Sequence, residues 1–275
     1  MNESQHQNEM SFMEHLEVLR WHIVRSVIAI LVFMVAAFSF KSLVFDHIIL
    51  APTHNDFPTY QWFCKFSHLI GKGDSLCFGE LKFDLININL SGQFTTHLLV
   101  SFVAGIILAF PYVLFEIWRF VKPGLHQTEI RYARALIFSG SLLFFFGVLF
   151  GYFLIAPLSI QFLGNYTVSD AVANQISLNS YISTLTTIVL ATGLVFQLPL
   201  LVYFLAKFGV VSSQMMRQYR KHAFVLSLVL AAVITPPDVS SQILMAFPLV
   251  ILYEFSIWVA KMVEKKEKSQ EIKRI

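Results

Sequence analysis

Charge is scarce in this chain. Only 13% of its 275 residues are Asp, Glu, Lys or Arg, and the formal net charge is +3; a soluble domain carries about 25% charged residues. So small a surplus gives no footing for nucleic-acid binding. Cysteine is nearly absent too. Cys64 and Cys77 are the two present, both in one polar interlude. Either they bridge a short loop that faces an oxidising compartment, or they are unrelated thiols. The phosphate loop G-x-x-x-x-G-K-[ST] is missing, as are H-E-x-x-H and G-x-S-x-G, so no NTP site, zinc protease or hydrolase elbow is written here. No cofactor and no metal are expected. Gly71-Lys72-Gly73-Asp74 matches the G-x-G-D string of intramembrane aspartyl proteases. That chemistry needs a second carboxylate on a neighbouring span, and no apolar run holds an aspartate. Met1 to Met13 contain no Lys or Arg, so a basic leader region is lacking and the first apolar run is expected to stay as a retained helix. No internal repeat is visible, which weakens an ordinary transporter reading.

Apolar side chains are what the sequence has. They make up 56% of the residues, phenylalanine occurs 28 times, and mean hydropathy is +0.65. A bilayer core of ~30 Å is crossed by ~20 helical residues. Six stretches approach that length: Ile23 to Phe40, Thr95 to Trp118 around Pro111, Ala135 to Leu158 with Pro157, Ile182 to Ala206 with Pro199, Ala223 to Ile234, and Ile243 to Val259 with Pro248. The last two are short. Twelve residues reach about 18 Å, so flanking residues extend them or the bilayer thins. Thr235-Pro236-Pro237-Asp238 is the expected turn between them, because a Pro-Pro pair cannot continue a helix. The fold class is therefore an all-α polytopic membrane protein with six spans.

Basic residues orient it. Arg20 and Arg25 precede or open span one. Arg119, Lys122, Arg131 and Arg134 surround the loop after span two. Lys207, Arg217, Arg220 and Lys221 follow span four, and six more lie from Lys261 onward. The opposite side has only Lys41, Lys65, Lys72 and Lys82, all in one loop. Both termini are thus expected in the cytoplasm, with residues 1–22 a cytoplasmic segment, 42–94 an extended outer loop and 260–275 a basic tail. Leu85-Ile86-Asn87-Ile88-Asn89-Leu90 inside that loop suggests a short strand or an interfacial segment. Polar groups within spans are costly and tend to be functional. His97 and Glu116 sit near span ends, within reach of water. Gln197 could bond a carbonyl freed by Pro199. Glu254, well inside span six, is either satisfied within the bundle or part of a hydrophilic recess or partner contact; left unpaired it would be protonated. Gly147 and Gly151 read as an internal packing face.

Three blocks stand out along the cytoplasmic side and the last hairpin. The first is His15-Leu16-Glu17-Val18-Leu19-Arg20. The second runs from Pro111 through Trp118, Phe120, Pro123-Gly124-Leu125 and Glu129. The third holds Thr235-Pro236-Pro237-Asp238, Ser241-Gln242, Pro248 and Leu252-Tyr253-Glu254. In order and spacing they resemble the TatC family, the membrane receptor of the twin-arginine protein translocase, whose blocks are H-L-x-E-L-R, P…W-x-F-x-x-P-x-L…E and T-P-P-D…S-Q…P…L-Y-E. The resemblance covers nearly the whole chain.

It implies a non-enzymatic scaffold in the bacterial inner membrane. Such a scaffold binds signal peptides with two adjacent arginines and exports folded cargo on the proton-motive force. Carboxylates grip guanidinium groups bidentately, a geometry lysine reproduces poorly. By match, Glu129 is the loop carboxylate, Phe120 and Pro123 shape the site, and Arg20 orients neighbouring acids. Val18 stands where the family has its N-terminal glutamate. Either Glu17, one position earlier and turned by about 100°, or Glu14, four residues back on Val18's own face, takes that role. Gln197 replaces a family glutamate in span four, so no titrating acid is expected there. The resemblance also implies single-span TatA- and TatB-type partners along the last hairpin, with Thr235 and Gln242 as hydrogen-bonding groups, and a homo-oligomer within the complex. The competing expectation is a small-solute transporter or channel lined by Gln197, Glu254 and His97.

Overall fold

A computed structural model describes residues 12–69, 71, 73–77, 84–121, 133–169, 174–236 and 238–272. The protein is a bundle of long apolar helices. Helix α1 (Phe12–Ser39) leads into the short α2 (Lys41–Val44) and a π-helical turn, Phe45–Ile49. Helix α3 (Pro58–Leu69) lies in the long loop, and α4 (Gly92–Val121) returns. Helix α5 (Ala133–Phe150) passes through a π-helical turn, Gly151–Ile155, into α6 (Ala156–Asn165). Then come α7 (Leu178–Val195), α8 (Leu198–Lys207), α9 (Ser213–Gln218), α10 (Arg220–Ile234) and α11 (Val239–Ile272).

Among the described residues, five helical stretches are long and apolar enough to cross a membrane: Glu17–Ser39, Gly92–Val121, Arg134–Asn165, Leu178–Lys207 and Ser241–Lys265. Helix α10 has only 15 residues, about 22 Å at 1.5 Å per residue. The fifth stretch thus stays short. The sixth does not. Helix α11 runs for 34 residues through Pro248, because Lys261, Glu264 and Lys265 prolong it beyond the apolar run as good helix formers.

Prolines punctuate the spans in three ways. Pro111 and Pro248 lie inside continuous helices. Pro199 sits in the first turn of α8, and span four breaks before it at Phe196 and Gln197. Pro157 follows the π-helical turn. The wider turn gives the proline ring room, and the Phe153 carbonyl, four residues before the N–H that Pro157 lacks, accepts from Thr59 instead.

Close backbone approach organises the packing. A Cβ on Gly105 of α4 would lie 2.8 Å from the Ile30 carbonyl oxygen and 2.9 Å from the Met34 nitrogen of α1. Those two helices therefore touch main chain to main chain. Gly147 and Gly151 face Thr192, Phe196 and Val189 of the α7 stretch in the same manner, which is the internal packing their spacing suggests. The core at the end away from the basic residues gathers Ile155, Ile182, Leu185, Ile188, Met245 and Leu249, all 1% exposed or less. A smaller cluster, Val202, Ala206, Met216, Ile257, Ala260 and Val263, holds α8, α9 and α11 together.

The long loop is tied down. Cys64 and Cys77 form a disulfide. The expected strand exists as β1 (Asp84–Ile86) and pairs in parallel with β2 (Gln175–Ser177), Leu85 opposite Ile176. Tyr152 and Tyr181 donate to the carbonyls of Ile48 and Ile49 at 2.7 and 2.6 Å. Burial pushes the Tyr60 phenol well above its ordinary range, so it stays protonated and donates to the Pro52 carbonyl at 2.8 Å.

Candidate functional site at the basic rim

The pairs α1–α4, α4–α5 and α10–α11 run antiparallel, as the contacts His22–Glu116 with Ile30–Gly105, Phe110–Phe144 with Leu114–Gly140, and Arg220–Glu254 with Leu228–Gln242 require, and the described basic residues other than those of the long loop fall at one end of the bundle. There the start of α1 crosses the end of α4. Glu116 is 1% exposed. Its Oε2 lies 2.5 Å from His22 Nδ1 of α1, and its Oε1 accepts from Arg119 Nη1 at 3.2 Å. A buried acid held by a histidine ring and an arginine is satisfied in place. Glu116 is thus no water-reaching group; it is a clamp between two helices. The His22 ring meets Phe120 edge-on at 6.3 Å, and Arg119 lies over Phe115 at 5.7 Å. Trp118 is buried against Phe204.

Glu17 and Arg20, both 66% exposed, form an i,i+3 pair at 3.6 Å. Such a pair in water holds little energy, and a stronger cation can displace Arg20. Glu14 lies on α1 four residues before Val18; its side chain is outside the described residues, as are Pro123 and Glu129 entirely.

The other half of the rim carries two contacts that spacing alone did not reveal. Glu264 of α11 accepts from the backbone N–H and the hydroxyl of Ser213, both at 2.6 Å, at the start of α9. Glu254 is bonded to Arg220 at 2.6 Å and is 47% exposed. Of the two readings of Glu254, a satisfied group or a polar recess, the pairing fits the first, because the turn after α9 brings Arg220 beside it. Gln197 differs from expectation: its Nε2 donates to the Gly140 carbonyl of α5 at 3.1 Å. The break at Phe196 and Gln197 turns the amide toward a neighbouring helix. Glu264→Ala is expected to lower stability by about 1–2 kcal/mol, the usual cost of a lost N-terminal cap, read as a fall in Tm in detergent; an unchanged Tm would show α9 holds without it.

At the far end, Asp238 starts α11 by accepting from the Ser241 N–H at 2.6 Å, while Ser241 and Ser159 bond at 2.8 Å. Thr235 donates to the Ala231 carbonyl at 2.8 Å and Gln242 to Leu228 at 3.4 Å. In the long loop Cys64, His68, Asp74 and Cys77 converge, but the disulfide takes both sulfurs, and His68 pairs with Asp74 at 3.2 Å. A disulfide sulfur is no thiolate ligand, so this set does not make a four-ligand metal centre in the oxidised chain.

The family model for the Sec-independent protein translocase protein TatC matches residues 14–248. The chain belongs to the TatC family. It is 38% identical over 261 residues to the TatC protein of a Blattabacterium strain from Periplaneta americana, covering 94% of this chain and 98% of that one. It is 37% identical over 268 residues to TatC of Desulforapulum autotrophicum, covering 98% and 90%. A crystal structure of the twin arginine translocase receptor TatC superposes with a TM-score of 0.70 at 32% identity, covering 91% of this chain and 100% of that one. A second, in the detergent DDM, gives 0.71 at 33%, covering 90% and 99%.

The long apolar helices are thus the spans of a TatC protein in the inner membrane, and the chain is a component of the twin-arginine translocase that works with other subunits of that system. The TatC rim of this chain has a clamp on the buried Glu116, His22–Glu116–Arg119, and an exposed pair, Glu17–Arg20. The sequence flags Glu116 as a polar residue in a span, but not His22. The available signal was a histidine inside the basic start of α1 and an arginine three residues after the glutamate, the i,i+3 spacing of a helix pair.

Proposed function

We propose that this TatC chain is the receptor for twin-arginine signal peptides, with Glu17, Arg20, Phe120, Pro123 and Glu129 as the residues that bind them. The observation that carries this reading is the likeness, over nine-tenths of the chain, to a protein described as the twin arginine translocase receptor. Six spans with both ends cytoplasmic place the basic rim where folded cargo arrives. Glu129 and one of Glu17 or Glu14 grip the two guanidinium groups. TatA- and TatB-type single-span subunits dock along α10 and α11 near Thr235 and Gln242, several copies assemble, and the proton-motive force drives transfer.

A photo-crosslinkable signal peptide tests the site. Each charge-assisted hydrogen bond is worth roughly 1.5–3 kcal/mol, and 1.36 kcal/mol is tenfold. Glu129→Ala is expected to cut crosslinking of an Arg-Arg leader by roughly tenfold or more, with membrane insertion unchanged. Adding Glu14→Gln and Glu17→Gln should remove the remaining preference over a Lys-Lys leader. Crosslinking at the parental level in the triple variant would overturn the assignment.

A further inference from the structure

Helix α3 divides its circumference three ways. At about 100° per residue, Thr59, Tyr60, Phe63, Cys64 and Ser67 fall within about 140° and face the protein; Thr59, Tyr60 and Ser67 are buried. Trp62, Phe66 and Leu69 share a separate sector of about 60° and are 69%, 56% and 83% exposed. Gln61, Lys65 and His68 fill the sector between, and all are exposed. A helix in plain water has no reason to sort its exposed residues into an apolar and a polar half. A helix lying in a membrane interface does.

Its depth agrees. Thr59 donates to the Phe153 carbonyl, and the ring of Phe57 stacks on Phe153 at 5.7 Å. From Arg134, where the charged start of span three lies, Phe153 is about 28 Å along the helix axis. The hydrocarbon core is about 30 Å thick. Span three continues to Asn165, roughly 18 Å further. Helix α3 is therefore attached at the level where hydrocarbon gives way to headgroups, well short of the tip of α6. The chain cannot drift from that level. The disulfide closes the turn behind it, and Ser67 donates to the Gly73 carbonyl at 2.6 Å.

We propose that α3 lies in the lipid interface of the leaflet opposite the basic rim, with Trp62, Phe66 and Leu69 immersed beside the acyl chains and Lys65 reaching lipid phosphates. Tryptophan favours that level because its ring is apolar and its N–H is not. The lysine stem runs along apolar surface while the ammonium stays in the headgroups. The lipid-facing surface of the spans then continues onto the loop, and α3 sets how deep the bundle sits on that side. The proposal rests on the membrane-spanning reading of α4 and α5.

Nitroxide labels test it in phosphatidylcholine–phosphatidylglycerol vesicles. Trp62→Cys, Phe66→Cys, Gln61→Cys and Lys65→Cys are labelled singly, with the Cys64–Cys77 bond kept. Leu108→Cys on the exposed face of α4 serves as the reference. Labels at 62 and 66 should collide with dissolved oxygen in preference to a water-soluble nickel chelate, the ratio being at least threefold higher than at 61 and 65. Equal access of the chelate to 62 and 61 overturns the proposal, and so does exclusion of both reagents at 62, which would mean a protein covers the face. If the label at 108 is itself open to the chelate, the spanning reading fails as well; a lipid-like 108 beside a water-like 62 sinks the interfacial helix alone. Brominated lipids give a second reading without new cysteines: quenching of total fluorescence should fall in Trp62→Phe, and unchanged quenching overturns the proposal.

Discussion

Glu116→Leu is expected to destabilise the bundle by on the order of 2–3 kcal/mol, read as a lowered Tm in detergent. Removing one member of a fully buried ion pair costs about 3–5 kcal/mol, because the other is left uncompensated. The lower figure applies here since Arg119 is 46% exposed and water screens it. His22 has no such relief, with 12% of its side chain exposed. The physical origin is therefore desolvation of an orphaned imidazole more than the lost attraction. That gives a sharper test than the single variant. Replacing both partners, His22→Leu with Glu116→Leu, should recover much of the loss, since two apolar groups in contact leave nothing unpaired. A double variant as unstable as the sum of the singles would show that the pair does not act as a clamp.

Gly105→Ala should weaken the α1–α4 crossing by about 1–3 kcal/mol, with Gly105→Leu worse. The atoms a new Cβ would meet are main chain, at 2.8 and 2.9 Å; they yield only if the helices part. Gly193 offers the contrast. Its Cβ would meet ring and methyl atoms of Phe144 and Val148 at 2.9 Å; these are side-chain ends, so the buried Phe144 ring must shift but the two helix backbones need not part. Gly193→Ala is expected to cost less. Distances between spin labels on α1 and α4 separate the mechanisms: they should lengthen in the Gly105 variants and stay fixed at Gly193. Unchanged distances with Gly105→Leu would refute the main-chain contact.

The sequence made the long spans readable because each is an unbroken apolar run, and the bilayer sets the length that counts. Leu85 and Ile86 were legible as strand for a similar reason, a local alternation. What could not be read is what depends on another part of the chain. His22 meets Glu116 across two helices, Glu254 meets Arg220, and Glu264 meets Ser213; no local period encodes any of these. The break at Phe196 and Gln197 was hidden because Pro199, which causes it, resembles Pro111 and Pro248, which lie within unbroken helices. The reach of α11 was missed because hydropathy marks where lipid ends, while helix propensity decides where the helix ends. Pro123 and Glu129 were named by motif, and the family match reaches over them.

The parallel pairing of Asp84–Ile86 with Gln175–Ser177 has a consequence for biogenesis. The first of these segments leaves the ribosome long before its mate; at 5–20 residues per second the delay is roughly 5–18 s. Until then the edge at residue 84 has no neighbour, and two more helices must enter the bilayer before one arrives. The strap on the far side consequently closes only after α4, α5 and α6 have been made, and a nascent chain arrested short of Gln175 would leave it open.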